Sequence, residues 1–163
     1  MSRRKPSRAE RANRATRPRG TPGRTPRQGG PVAGAPEPGA PCPCGRAGAA
    51  YGECCGRFHG GGAVAGTAEE LMRSRYAAFA LGDPAYLLRT WHPETRPARL
   101  DLPGGRRWRG LEVLATSGGS PFHIEGTVTF RAHYATADGE SGTQSEHSRF
   151  TRHEGDWVYL DGS

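Results

Sequence analysis

Cysteine is absent from this 163-residue sequence except within fourteen consecutive positions, 42–55. Residues 1–40 lack aromatic residues, leucine and isoleucine altogether, and contain seven prolines. A segment with so little apolar surface cannot offset the entropy of ordering it, so residues 1–40 are expected to form a disordered Arg/Pro-rich tail. No apolar run approaches the roughly eighteen residues of a membrane span, and no hydrophobic segment follows the basic N-terminus as a secretory signal requires. The tail is arginine-rich and acid-poor, as transit peptides are, but its proline and glycine oppose the amphipathic helix that those need. The expectation is a soluble, cytoplasmic protein with no membrane contact.

Acidic residues are scarce in the tail as well. Ten Arg or Lys residues meet two Glu there, a net +8, whereas residues 41–163 carry thirteen basic and fourteen acidic residues, a net −1. The formal charge of +7 therefore belongs to the tail alone. The near-neutral remainder offers no basic groove for duplex nucleic acid. The tail is either a solvated extension or an arm making weak, sequence-independent contact with nucleic acid or the ribosome through phosphate neutralisation.

What is present is the stretch "PCPCGRAGAAYGECCGRFHGG", residues 41–61. In a reducing compartment, clustered thiols favour metal over disulfide. A C-x-C pair, nine intervening residues and an adjacent pair give four soft donors in short loops, which suits tetrahedral zinc. The candidate ligands are Cys42, Cys44, Cys54 and Cys55. His59 lies four residues beyond Cys55 and is an alternative fourth ligand if that turn is helical. Gly45 and Gly48 let the backbone fold back, and Arg46 and Arg57 offset thiolate charge. A C-x-C pair seldom closes its own disulfide without strain; a free-thiol cluster or a redox pair is the other reading. Four protein ligands leave no open position for a catalytic water, so the Zn²⁺ would be structural.

A Gly-rich hinge, 62–66, follows. Thr67 and Glu70 form a T-x-x-E capping box, and Met72, Tyr76, Phe79 and Ala80 give one apolar helical face ending at Gly82. Asp83-Pro84 restarts a short helix that stops before Pro93. Beyond a loop, 93–105, the period changes to two. "WRGLEVLAT" predicts a strand, and "FHIEGTVTFRAHY" predicts a second with Phe122, Ile124, Gly126, Val128, Phe130, Ala132 and Tyr134 on one face. "TQSEHSRFTRH" and "WVYLD" complete an antiparallel meander. Two helices before a meander make an α+β fold with helices covering one face of the sheet.

"CPCG…Y…CCG" resembles the SEC-C motif, the zinc-binding tail of the SecA translocase ATPase that also occurs in other chains. "LMRSRYAAFALGDPAYLLRTWHP", "HSRFTRH" and "WVYLDG" are similar to the YchJ-like family of bacterial proteins, and the resemblance covers about residues 41–163. It departs from the usual SEC-C pattern by one extra residue between the cysteine pairs, and lacks the second SEC-C motif that some members carry after "YxDG". The resemblance implies that residues 67–163 form a nuclear transport factor 2-like, or SnoaL-like, cone of helices on a curved antiparallel sheet. It also implies that residues 41–61 are a metal-stiffened module docking on a protein partner, of chaperone or ribosome type.

No Ser-His-Asp order, phosphate-binding glycine loop or paired-carboxylate motif is visible, and the leading expectation is a non-enzymatic adaptor. The alternative is a small-molecule-binding or isomerase-like enzyme using a pocket in the cone, with Trp91, His92, Arg149, Trp157, Tyr159 and Asp161 around it. For Arg149 and Asp161, an ion pair across the final hairpin is the favoured reading. His123, Glu125, Arg131 and His133 alternate on one strand face and read as its solvated side; His153 is a further polar candidate.

Overall fold

The computed structural model describes residues 34–102 and 104–163. Most of the arginine-rich tail, with the disorder and the nucleic-acid contact expected of it, lies outside those residues. Its described end is tied down: Gly52 N–H donates to the Pro38 carbonyl and Tyr51 N–H to the Ala40 carbonyl, each at 2.8 Å. The folded chain thus starts ahead of the boundary expected after residue 40.

Three helices and four strands follow a 3-10 turn at Tyr51–Glu53: α1 (Gly56–His59), α2 (Ala68–Leu81), α3 (Pro84–Arg89), β1 (Arg106–Gly118), β2 (Glu125–Thr136), β3 (Ser141–His153) and β4 (Asp156–Gly162). Helix α2 begins as its sequence requires. The Thr67 hydroxyl accepts from Glu70 N–H at 3.1 Å, and the Glu70 carboxylate reaches back one residue further than a capping box does, to Gly66 N–H at 2.8 Å. It ends at Gly82. Asp83 then caps α3 by accepting from Tyr86 N–H at 2.9 Å, with Pro84 in the first turn.

Helix α2 is buried on more than the one expected face. Met72, Arg75 and Tyr76 turn towards the sheet, while Ser74 meets α3, its hydroxyl 2.7 Å from that of Tyr86. A single core cluster runs from the four cysteines through Phe58, Leu71 and Leu87 to Val128, Phe150 and Trp157.

The strands form one antiparallel sheet in chain order, β1-β2-β3-β4. The β3–β4 connection is a two-residue turn with both residues at positive φ, Glu154 (51°) and Gly155 (87°), whose twist matches that of the strands. The sheet does not curl shut: β1 and β4 are its two edges and do not pair. This corrects the expected cone. Period-two alternation reports which face of a strand is buried, but closure depends on the end strands meeting, and β4 has only seven residues. The α+β architecture, helices against a four-stranded antiparallel sheet, is what the chain forms. The edge of β4 is instead covered by residues 90–92, where Tyr159 N–H donates to the Thr90 carbonyl (2.9 Å) and His92 N–H to the Tyr159 carbonyl (2.8 Å).

A second correction concerns the start of β2. Val128 and Ala132 are buried as the alternation requires, but Phe122 is 96 % exposed and Ile124 74 %. They belong to a loop in which the Ser120 hydroxyl and the His123 Nδ1 lie 2.6 Å apart and Arg152 donates to the Pro121 carbonyl. No helix among the described residues is long and apolar enough to cross a membrane.

Candidate metal centre

The cysteine loop is built by backbone bonds before its sulfurs are considered. Cys42 N–H donates to the Ala49 carbonyl (3.0 Å), Gly45 N–H to the Cys42 carbonyl (3.0 Å) and Ala49 N–H to the Arg46 carbonyl (3.1 Å). Gly45 and Gly48 sit at φ 70° and 68°, so two left-handed turns absorb the nine residues between the cysteine pairs. The 3-10 turn and α1 then return the chain so that Cys54 and Cys55 face Cys42 and Cys44.

All four thiols are free and buried, and their Sγ atoms lie within 4.8 Å of one another. Cys44 and Cys54 are 3.6 Å apart at sulfur, Cys54 and Cys55 3.9 Å. These separations are too long for a disulfide. Tetrahedral thiolates at about 2.3 Å from a zinc ion stand about 3.8 Å from each other, so the donor set fits a metal. Electrostatics agree. Hydrogen bonds from Cys42 and Cys55 hold the Cys44 thiol well below the ordinary range. Burial, and then the Cys44 charge, push Cys54 up to about 12. Cys55 is driven up by its hydrogen bonds to Cys42 and Cys44, and by burial. One thiolate is easy here and four are not, unless a cation sits among them.

His59 is not among these donors. Its Nε2 lies 2.8 Å from the Ser74 carbonyl and its Nδ1 2.8 Å from the Tyr51 hydroxyl. A carbonyl only accepts, so Nε2 carries the proton and Nδ1 receives the Tyr51 hydroxyl. Both ring nitrogens are used, in a residue 1 % exposed. Burial lowers its pKa, which favours the neutral ring. Instead of ligating, His59 fixes the cysteine module to α2. Arg89 adds to the join by donating to the carbonyls of Phe58 (3.1 Å) and His59 (2.6 Å), and Arg57 pairs with Glu70 at 3.2 Å. The Gly-rich segment is held too, with the Trp157 indole N–H on the Gly66 carbonyl at 3.1 Å. The expected free hinge at 62–66 is therefore bridged on both sides.

Of the two arginines expected to offset thiolate charge, Arg57 does approach the cluster, donating to the Cys54 carbonyl at 3.3 Å, whereas Arg46 is exposed. Arg73, on α2, donates to the Cys44 carbonyl at 3.5 Å. Nothing in the local sequence marks Arg73, Ser74, Tyr86 or Arg89 as neighbours of the module, because the contact is tertiary; Tyr51 alone lies within the motif.

The six residues placed around a pocket do not converge. Trp91 and Tyr159 line a cavity between α2 and the sheet, while Trp157 lines a smaller one of about 380 Å³ beside Phe58. Arg149 donates through Nε to Asp161 at 2.6 Å and through Nη2 to its second oxygen, an exposed ion pair as favoured. His92 stands against His153, ring centroids 5.2 Å apart. Glu125 is exposed at the start of β2 and His123 lies in the preceding loop. His133 and Arg131 meet Glu112 at the surface, at 2.7 and 3.5 Å, on the sheet's solvated side.

Comparison with known proteins agrees with the residues. Residues 67–162 match the family model described as YchJ, middle NTF2-like domain. A UPF0225 protein of Streptomyces coelicolor is 63 % identical over 125 residues, 77 % of this chain and 96 % of that protein. A UPF0225 protein of Corynebacterium glutamicum is 54 % identical over 121 residues, covering 74 % and 94 %. Among solved structures, a SEC-C motif containing protein from Rhodopseudomonas palustris superposes with a TM-score of 0.66 at 34 % identity, covering 75 % of this chain and 96 % of that one. A SEC-C motif containing protein from Psychrobacter arcticus gives 0.61 at 30 % identity, covering 74 % and 80 %. With identity this high across nearly the whole of those relatives, the chain belongs to the YchJ-like, UPF0225 family.

Proposed function

We propose that this protein is a cytoplasmic adaptor in which Cys42, Cys44, Cys54 and Cys55 hold one structural Zn²⁺, and the module so stiffened docks on a protein partner. The observation that carries this reading is the set of four buried sulfurs at tetrahedral spacing, all supplied by the chain. Zinc is favoured over harder cations by an all-thiolate donor set. Bound there, it would supply a cross-link between the two halves of the loop rather than a reactive centre. The chain's own contribution is rigidity: the backbone turns preset the sulfurs, and His59, Arg57 and Arg89 hold the module on α2 and α3. The side left for a partner is the exposed turn at residues 45–48. Free clustered thiols are in keeping with a reducing compartment, which supports the cytoplasmic reading. The basic tail adds at most weak, salt-sensitive contact with nucleic acid.

Elemental analysis of protein purified without added metal tests the centre, with about one zinc per chain expected. Chelation should then expose four thiols to a thiol reagent. Metal-free protein with intact disulfides sinks the reading. For docking, proteins retained by the wild type should be lost from Cys44→Ser and kept by Arg149→Ala, a surface change remote from the module.

A further inference from the structure

The larger cavity, about 610 Å³ between α2 and the inner face of the sheet, is not used by the metal reading. Its volume falls in the range of small-molecule sites, and aromatic rings, including Tyr76, Trp108 and Phe130, line it. Arg75 lies in its wall at 5 % exposure. The Arg75 Nη1 donates to the Leu87 carbonyl (2.7 Å) and the Thr90 hydroxyl (2.8 Å), and its guanidinium carbon sits 4.5 Å from the Tyr159 ring and 5.1 Å from the Trp91 ring. Its Nε and Nη2 make no hydrogen bond among the described residues, and no carboxylate there comes within ion-pair distance. Trp91 lines the same cavity, and its fully enclosed indole nitrogen has no partner among the described residues.

A buried, unpaired cation beside an unpaired donor is costly to maintain without a counter-group. The charged residues of the lining are Arg75, Arg106 and Glu146, which leaves one positive charge uncompensated. Glu146 is already engaged, accepting at one oxygen from Ser148 (2.6 Å) and Tyr159 (3.2 Å). We propose that this cavity binds a small organic monocarboxylate, its carboxylate on the Arg75 Nε and Nη2 edge and its apolar body along the aromatic wall. The guanidinium fork matches a carboxylate's two oxygens. A neutral ligand would leave those donors unpaired, and a dianion would overbalance the charge. The site needs no metal, so it stands or falls separately from the cysteine centre.

The test titrates the full chain with β-naphthoate and decanoate, with neutral β-naphthamide as control, by calorimetry and by amide chemical shifts. Both acids should bind, with shifts centred on Trp91 and Trp108, and the amide should bind about tenfold more weakly or worse, as loss of a charge-assisted pair implies. Arg75→Gln should remove the preference for acid over amide. If that variant does not fold, Arg75→Lys keeps the charge without the fork and should still weaken both acids several-fold. Ala80→Phe, which fills the cavity from a half-exposed helix position, should abolish binding without lowering the melting temperature. Failure of both acids to bind at millimolar concentration overturns the proposal. So does equal binding of the amide, or acid binding unchanged in Ala80→Phe or Arg75→Lys.

Discussion

The cysteine module and the sheet reach the same degree of burial by opposite means. The sheet buries Val128, Ala132, Phe150 and Trp157 against α2, and its strands hold each other through ladders that close locally. The module has only Tyr51 and Phe58 as large apolar side chains, and its other buried positions are sulfurs and a histidine. Water exclusion alone cannot stabilise so short a segment. Its order must come from a cross-link between its own halves and from polar bonds to a neighbour that is already folded. A small appendage is thus made rigid by borrowing polar groups from the folded part, here the Ser74 carbonyl and the Arg89 guanidinium.

The largest effect that separates the two regions should come from removing the metal. Structural zinc sites supply binding free energy on the order of 10 kcal/mol at neutral pH, and that energy is folding energy of the module. Chelation, or Cys44→Ser, should release the amide-exchange protection of residues 41–61 while the sheet strands stay protected. A sheet that unfolds together with the module would show that the two are one cooperative unit. By the same reasoning a fragment of residues 67–163 should melt cooperatively but at a lower temperature, since it exposes the faces of Leu71 and Tyr86 that now meet the module.

Single substitutions sharpen the contrast. Phe150→Ala empties a fully enclosed site in the sheet core and should cost about 3–5 kcal/mol in a denaturant titration. His59→Ala should cost about 2–4 kcal/mol, through a different route: it strands the Tyr51 hydroxyl and the Ser74 carbonyl without partners. Its signature is pH. Burial depresses the folded pKa of His59, so below the unfolded value of about 6.5 the unfolded chain binds more protons and stability falls as pH falls. Above that pH the contribution is fully present. The stability gap between wild type and His59→Gln should therefore narrow on acidification, whereas thiol protonation, common to both proteins, cancels. Gly56→Ala should cost about 1–3 kcal/mol, because a Cβ there would stand 2.7 Å from the Tyr51 carbonyl and 3.0 Å from its ring.

What was legible in the sequence follows the same division. Local chemistry was readable: the Thr67 cap, the Asp83-Pro84 restart and the four cysteines each depend on neighbours a few positions away. Tertiary choices were not. The i, i+4 spacing of Cys55 and His59 is equally good for ligation and for a helix that turns the imidazole towards Ser74, and only the position of α2 decides. Alternation through Phe122 and Ile124 ran on into a loop because period two has no marker for where pairing stops. Arg75 looks like a solvent-facing charge in "LMRSRYAAF", yet α2 is covered on both sides and the residue is buried. Sheet closure left no trace in any single strand.

The smallest effect should come from the most conspicuous contact on the sheet. Arg149 and Asp161 face each other across β3 and β4 in a bidentate pair, and hydrogen bonding to Arg149 holds the Asp161 carboxyl below the ordinary carboxylate range. A depressed carboxyl favours the folded state above its unfolded pKa and loses that advantage as pH falls through the folded one. Both side chains are nonetheless open to water, with exposures of 57 % and 43 %. Solvent screens the attraction, and two side chains must be ordered to make it. Arg149→Ala should melt within error of the wild type at physiological salt, with the difference growing only slightly as salt is removed. Arg57→Ala, which also breaks a surface pair, should be more costly, because Arg57 bonds the Cys54 carbonyl and its partner Glu70 also holds Gly66 N–H at the start of α2. If the two variants melt alike, the ties between module and helix are no stronger than ordinary surface charge.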